Sequence, residues 1–357
     1  MSGTRKLRVS VIGLGIGARH ADRYATLADA RLVAVCDREE SLAADAAAQY
    51  GCAASTDAER MLDDHRPDAV SICTPPATHA ALTEAAAARG IHVLVEKPMA
   101  PTPADCERMI VACRQAGVQL MVGHKKRFAP PFVRLRELAA PEGPLGPVRQ
   151  VIARYVHGGM PDKDWFWSEE DGGGPILENH VHTADTLGFL AGRPSRVHAE
   201  GASRFVDGRA GQLNLAAYSA RFSGLEPGRD VVVSVGYGMV GPIPFRPLCD
   251  EHWLFACDRG VAEVSGPFDN PWLLRWALRG AQRAEDVREE GWPDADPFQS
   301  ELEHFLDCVR NDRPPRAGGA AAKQAVEFCL AVKESALTGR TVAFASASGA
   351  CEPAGTR

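Results

Sequence analysis

The stretch Leu7-Arg8-Val9-Ser10-Val11-Ile12-Gly13-Leu14-Gly15-Ile16-Gly17-Ala18 decides the fold. Its first six residues have the branched, apolar character of a short buried strand. The G-x-G-x-x-A that follows gives each small position a task. The first glycine permits a tight turn, the second lets phosphates approach the backbone, and the small third position lets a helix pack on the strand. The helix that opens there presents free N–H groups to an anion. Such a turn is a weak signal by itself, and its context gives it weight. Asp37 ends the next apolar run. A carboxylate at that corner accepts hydrogen bonds from ribose hydroxyls and repels a 2′-phosphate. Arg38 beside it can hold that phosphate instead. NAD is therefore the expected cofactor and NADP the alternative, with Gly13, Gly15, Ile16, Gly17, Asp37 and Arg38 as nucleotide-binding candidates.

Outward from this turn the pattern repeats. Leu7–Ile12, Leu32–Cys36, Ala69–Cys73, His92–Val95 and Val118–Val122 are strand-like, and the Ala-rich Ser41–Tyr50 and His79–Arg89 between them read as helices. Alternation of this kind builds βαβ units and a parallel sheet. The second half differs. A strand at Val148–Tyr155 precedes a glycine triplet and a helix over Pro175–Leu190. Alternating segments follow at Arg196–Ser203, Leu213–Phe222, Asp230–Gly236 and Trp253–Val264. They predict a large, open, mostly antiparallel sheet. Trp272–Arg288 reads as helical, and Pro297–Val309 and Ala320–Leu337 as closing helices. The fold class expected is α/β: an N-terminal Rossmann doubly wound sheet over 1–123 and a C-terminal α/β domain over 124–345. Residues 346–357 read as a loose tail.

The 357 residues carry a net charge of −6, which argues against a nucleic-acid or anionic-membrane partner. The basic run Lys125-Lys126-Arg127 reads as a solvated patch. Ten cysteines occur without a C-x-x-C pair, so they read as small buried hydrophobes of a reducing, cytoplasmic compartment. The start, Arg5-Lys6 and then an apolar run, mimics a signal peptide, but glycines break the run and it reaches Arg19-His20. No stretch is long and apolar enough to span a bilayer.

Two further stretches carry chemistry. One is Cys73-Thr74-Pro75-Pro76-Ala77-Thr78-His79, with Glu96-Lys97-Pro98 after the next strand. The other is Gly172-Gly173-Gly174-Pro175-Ile176-Leu177-Glu178, continuing to His182 and Asp185. Lys97 follows a parallel strand, the sheet edge where such folds bind ligands. Its ammonium can stabilise an alkoxide as hydride departs. Glu178 and His182, at i and i+4, share a helix face. An imidazole there can exchange a hydroxyl proton, and a carboxylate one turn back can orient it. Asp185, His180, His157 and Asp162 can hydrogen-bond a polyol, and an indole such as Trp165 can pack on a ring's C–H face. Trp167 is the second indole of that segment, and one of the two is expected in the core. A zinc reading of Glu178, His180 and His182 is disfavoured, because i and i+2 diverge on a helix.

Together these motifs resemble the glucose–fructose oxidoreductase / inositol dehydrogenase / rhizopine-catabolism (Gfo/Idh/MocA) family, from Leu7 to about Val342. The resemblance implies that Lys97, His182 and the acid at 178 are catalytic. It implies that Thr74, Pro75 and His79 form the cofactor wall and that Glu96 lies by the nicotinamide ribose. Two positions depart from the family pattern: Glu178 stands where aspartate is usual, and His180 where glycine is usual. The glycine turn is also one residue shorter before His20. The activity implied is hydride transfer between NAD(P) and a secondary alcohol or ketone of a sugar, nucleotide sugar, cyclitol or aminocyclitol. A homodimer or homotetramer is expected. The competing readings are an NAD-dependent glycosidase and a non-catalytic sensor, and retention of both Lys97 and His182 argues against the sensor.

Overall fold

The computed structural model describes residues 5–205, 212–226, 228–241, 249–266 and 272–345. The tail expected at 346–357 lies outside them. The first sheet is built from β1 (Leu7–Ile12), β2 (Ala30–Cys36), β3 (Ala53–Ser55), β4 (Ala69–Ile72), β5 (His92–Val95) and β6 (Leu120–Val122). It is wholly parallel, in the order β3-β2-β1-β4-β5-β6. Helices α1 (Gly17–Thr26), α2 (Glu40–Tyr50), α3 (Ala58–His65), α4 (His79–Ala87) and α5 (Pro103–Ala116) connect the strands. Local chemistry sets their ends. Asp57 accepts the Arg60 N–H to cap α3, and Thr102 accepts the Asp105 N–H to cap α5, which begins on Pro103. Strands covered on both faces need continuous apolar sequence, and all of Ala69–Ile72 is buried.

After α6 (Pro130–Leu138) the chain enters a second sheet. Its strands are β7 (Val148–His157), β8 (Pro194–Ala202), β9 (Leu215–Phe222), β10 (Val231–Met239), β11 (Cys249–Cys257), β12 (Gly260–Gly266), β13 (Trp272–Leu278), β14 (Arg288–Trp292) and β15 (Val342–Ala343). The order is β14-β13-β12-β11-β7-β10-β9-β8-β15, antiparallel except for the β7–β10 pair. Three short or medium helices, α7 (Asp164–Trp167), α8 (Gly174–Glu178) and α9 (Val181–Ala191), lie between β7 and β8. One sheet face is covered: Phe132 of α6 meets Trp253 edge-on at 5.6 Å between ring centroids. The opposite face leaves Ile152, Val232, Leu254 and Val261 exposed, and Ile152 stands directly across from Leu254.

Three expectations change here. Trp272–Arg288 is not a helix but strand β13, a turn and the start of β14. Leu274 and Trp276 are buried with the period of two that pairing to β12 imposes. Trp253–Val264 is a hairpin of two strands folded at Asp258-Arg259. The helix expected over Pro175–Leu190 breaks after Glu178 and restarts at Val181.

The last two helices, α10 (Pro297–Asn311) and α11 (Gly319–Thr338), return to the first sheet. Leu302, Phe305 and Leu306 share one core with Val9, Val11 and Leu94. The Val122 N–H donates to the Ala317 carbonyl at 2.9 Å. α11 also packs on β8 and α9, with Phe328 against Tyr218 and Phe222. Among the described residues no helix is long and apolar enough to cross a membrane.

Candidate active site

A cavity of about 940 Å³ lies along the C-terminal ends of the first sheet's strands and is roofed by the second half of the chain. At one end stands the glycine turn. Gly13 sits at φ +86°, and a side chain there would strike the Cys73 carbonyl oxygen at 2.7 Å. A side chain at Gly17 would meet Val11 at 2.9 Å, so helix and strand are in contact. Gly15 and Ile16 line the cavity. Both Asp37 carboxylate oxygens are held by backbone: Oδ2 accepts the Leu14 N–H at 2.7 Å and Oδ1 the Glu39 N–H at 3.0 Å. Arg38 lines the same corner, and Thr74 and Pro75 form a side wall.

Further along, Lys97 and Glu178 meet. The Lys97 Nζ donates to the Glu178 carboxylate at 2.5 Å and to the Glu178 carbonyl at 3.0 Å. The break after Glu178 thus does not separate the pair. His182, from the next helix, lines the cavity beside them. Burial, with Lys97, Lys126 and Lys125 nearby, holds its imidazole well below the ordinary value, so it is neutral at pH 7. Glu96 accepts from His20 at 3.1 Å and from the Lys97 N–H at 3.0 Å. Burial pushes the Glu96 carboxyl up, but the His20 hydrogen bond and the neighbouring charges outweigh it and the net direction is down. A lysine, a neutral imidazole and a carboxylate therefore line one cavity with the glycine turn.

Residues 7–124 match the family model described as an oxidoreductase family with an NAD-binding Rossmann fold, and residues 132–261 match its GFO/IDH/MocA C-terminal domain. The chain is 31% identical over 340 residues to inositol 2-dehydrogenase 4 of Saccharopolyspora erythraea, covering 92% of this chain and 90% of that protein. The chain belongs to the Gfo/Idh/MocA oxidoreductase family. It is also 37% identical to D-glucoside 3-dehydrogenase of Escherichia coli, over 53% of this chain and 55% of that protein. The aldose-aldose oxidoreductase of Caulobacter crescentus, solved with glycerol, superposes with a TM-score of 0.81 at 26% identity over 95% of this chain and 100% of that one. The chain is thus an NAD-binding oxidoreductase with the two-part architecture of this family.

Several residues expected at the Gfo/Idh/MocA site stand elsewhere. His180 does not narrow the cavity. Its ring turns into the core, 3.0 Å from the Tyr218 hydroxyl and packed on Tyr237 at 4.9 Å. Glu178, His180 and His182 consequently do not converge. Asp185 is buried and gripped by Arg127, whose Nε donates to both carboxylate oxygens at 2.9 and 2.8 Å. His79 lies behind the wall, where its ring faces the Thr74 carbonyl at 2.8 Å and the Pro98 carbonyl at 3.1 Å, bracing one loop against the next. Asp162 is exposed and outside the cavity wall, whereas its neighbours Pro161 and Lys163 line it. His157 and Trp165 do line it. Trp167 is buried, with its indole N–H donating to the Pro161 carbonyl at 2.8 Å.

The basic run is not a solvated patch. Lys126 is buried in an ion pair with Glu251 and lies 4.8 Å above the Tyr155 ring. Arg127 is buried on Asp185, and Lys125 lines the cavity, 4.5 Å over Phe298. Sequence reasoning also missed Asn179 and Phe298 in the lining. Asn179, next to Glu178 in the helix break, was within reach of the motif. Phe298 was not, because α10 reaches the site only through the return of the chain.

Proposed function

We propose that this enzyme transfers hydride between NAD and a ring carbon of a polyhydroxylated substrate: a sugar, a nucleotide sugar, a cyclitol or an aminocyclitol. The observation that carries the reading is the Lys97–Glu178 contact beside a neutral His182 in the cavity. His182 accepts the proton of the reacting hydroxyl, or returns it in reduction. Lys97 stabilises the oxygen as negative charge develops, and Glu178 fixes the ammonium in place. The nicotinamide, when bound, supplies the hydride acceptor or donor. Gly13, Gly15, Ile16 and Gly17 seat its diphosphate, Asp37 takes the adenosine ribose, and Thr74, Pro75 and Glu96 flank the rest. Trp165 offers an indole face to a ring and His157 a polar partner. The names of the relatives, inositol and glucoside dehydrogenases among them, support the substrate class.

The exposed apolar row Ile152, Val232, Leu254 and Val261 on an open sheet supports a homo-oligomer joined through that face. Cys36, Cys52, Cys73, Cys106, Cys113, Cys257, Cys308 and Cys329 are free thiols, which supports a cytoplasmic setting. The test is a turnover screen with NAD and with NADP against sugars, nucleotide sugars, cyclitols, aminocyclitols, hydroxy acids and simple alcohols. Absorbance change with ring polyols is expected. Turnover confined to hydroxy acids or simple alcohols overturns the reading, and release of an aglycone without net NADH marks a glycosidase instead.

A further inference from the structure

Among the described residues five lysines and arginines line the cavity. Lys97 is paired with Glu178, Arg38 stands at the ribose corner, and Arg19 and Lys125 both stack on Phe298 at 5.5 and 4.5 Å. The fifth, Lys163, comes from the second half of the chain. It closes the loop that follows β7, directly before α7. Its side chain is exposed, 5.9 Å from the Trp165 ring, and among the described residues it has no carboxylate partner.

The three glycines of the turn show where that ammonium stands. A side chain at Gly13 or Gly17 would collide with protein atoms under 3.0 Å away. At Gly15 a side chain would meet no atom of the described residues within 4 Å except the Lys163 Nζ, at 4.0 Å. The protein's own packing therefore gives no reason for glycine at 15. Among the described residues the space above it is open, bounded on one side by the N–H groups at the start of α1 and on the other by the Lys163 ammonium. That combination suits a group with two negative charges and many acceptor oxygens. The segment just after α7 is anchored to the first domain, where the Ala77 N–H of the cofactor wall donates to the Asp171 carbonyl at 2.9 Å, and the Trp167 indole at the end of α7 holds Pro161 of the Lys163 loop.

We propose that Lys163 is a cofactor-binding residue supplied by the second domain, closing over the dinucleotide diphosphate that the glycine turn cradles from below. The same stretch of chain runs on through Trp165 to the glycine triplet and Glu178. Docking of the diphosphate therefore positions the wall of the substrate pocket.

The experiment is a substrate-free titration of NADH fluorescence, with ADP-ribose as competitor, on the wild-type enzyme, Lys163→Ala and Lys163→Arg. Lys163 is exposed, so the variants fold. Lys163→Ala is expected to bind NADH and ADP-ribose about 5–20-fold more weakly, the scale of one charge-assisted contact at a partly exposed site. Lys163→Arg should stay within about twofold of wild type, and the deficit of the alanine variant should shrink as salt is raised. Lys163→Ala binding within about twofold of wild type would overturn the proposal. So would an arginine variant as weak as the alanine one, because the charge would then not be the cause. Neither result depends on which polyol is the substrate.

Discussion

The two ends of the cavity are made differently. At the cofactor end, backbone does the shaping: Gly13 and Gly17 are glycine because carbonyl and side-chain atoms crowd them, and Asp37 is fixed by two main-chain N–H groups. At the other end, and in the core behind it, side chains hold one another across long stretches of sequence: Lys97 with Glu178 in the lining, and Arg127 with Asp185 and Lys126 with Glu251 buried outside it. Backbone shaping draws on neighbouring strands of the first sheet alone, with Cys73 against Gly13 and Leu14 against Asp37. Ion pairing under burial depends on the whole fold, and each partner is costly without the other.

The sharpest way to break this contrast is Arg127→Met. It leaves Asp185 buried beside His124 with its main partner gone. A loss of about 3–5 kcal/mol is expected in denaturant unfolding. Adding Asp185→Leu should recover part of it. An unchanged midpoint in the single variant would mean that the buried pair contributes nothing to stability.

Lys97→Met tests the working member of the same end. Turnover should fall about 100–1,000-fold, the scale of one lost donor to a developing oxyanion, with NADH affinity nearly unchanged. Comparable turnover in the variant would remove Lys97 from the chemistry. The smallest effect belongs to the backbone-shaped end. Asp37→Ser relieves repulsion of a 2′-phosphate, and the ratio of NADP to NAD affinity should rise about tenfold, or ~1.4 kcal/mol. Tighter NADP than NAD binding by the wild-type protein would show that Arg38 governs the corner.

The same contrast explains what could be read in advance. Five strands of the first sheet and its turn were legible because each is set by a few adjacent residues, whereas the edge strand β3, three residues long, was missed because it is too short to carry a pattern. Lys97, Glu178 and His182 were legible as members of local patterns, and they do meet at the cavity. Arg127 and Lys126 were misread because charge alone says solvent, and only their partners 58 and 125 positions away say otherwise. Asp185 and His180 were misplaced for the same reason: a polar residue on a helix near a site can turn inward when Arg127 or Tyr218 waits there. Trp272–Arg288 was read with the wrong period because an apolar run this dense fits both templates, and only the edge of β12 decides between them.

The return of α10 has a consequence for how the chain is made. Val9, Val11 and Leu94 sit in one core with Leu302, Phe305 and Leu306, some two hundred or more residues further on. A ribosome that has released the first sheet has not yet made the residues that finish its core. Until α10 emerges, the nascent chain presents that apolar face to its surroundings for the time that translation needs to reach it. The cofactor half is thus first to be written and among the last to be sealed, and a holding chaperone or early NAD would act during that interval.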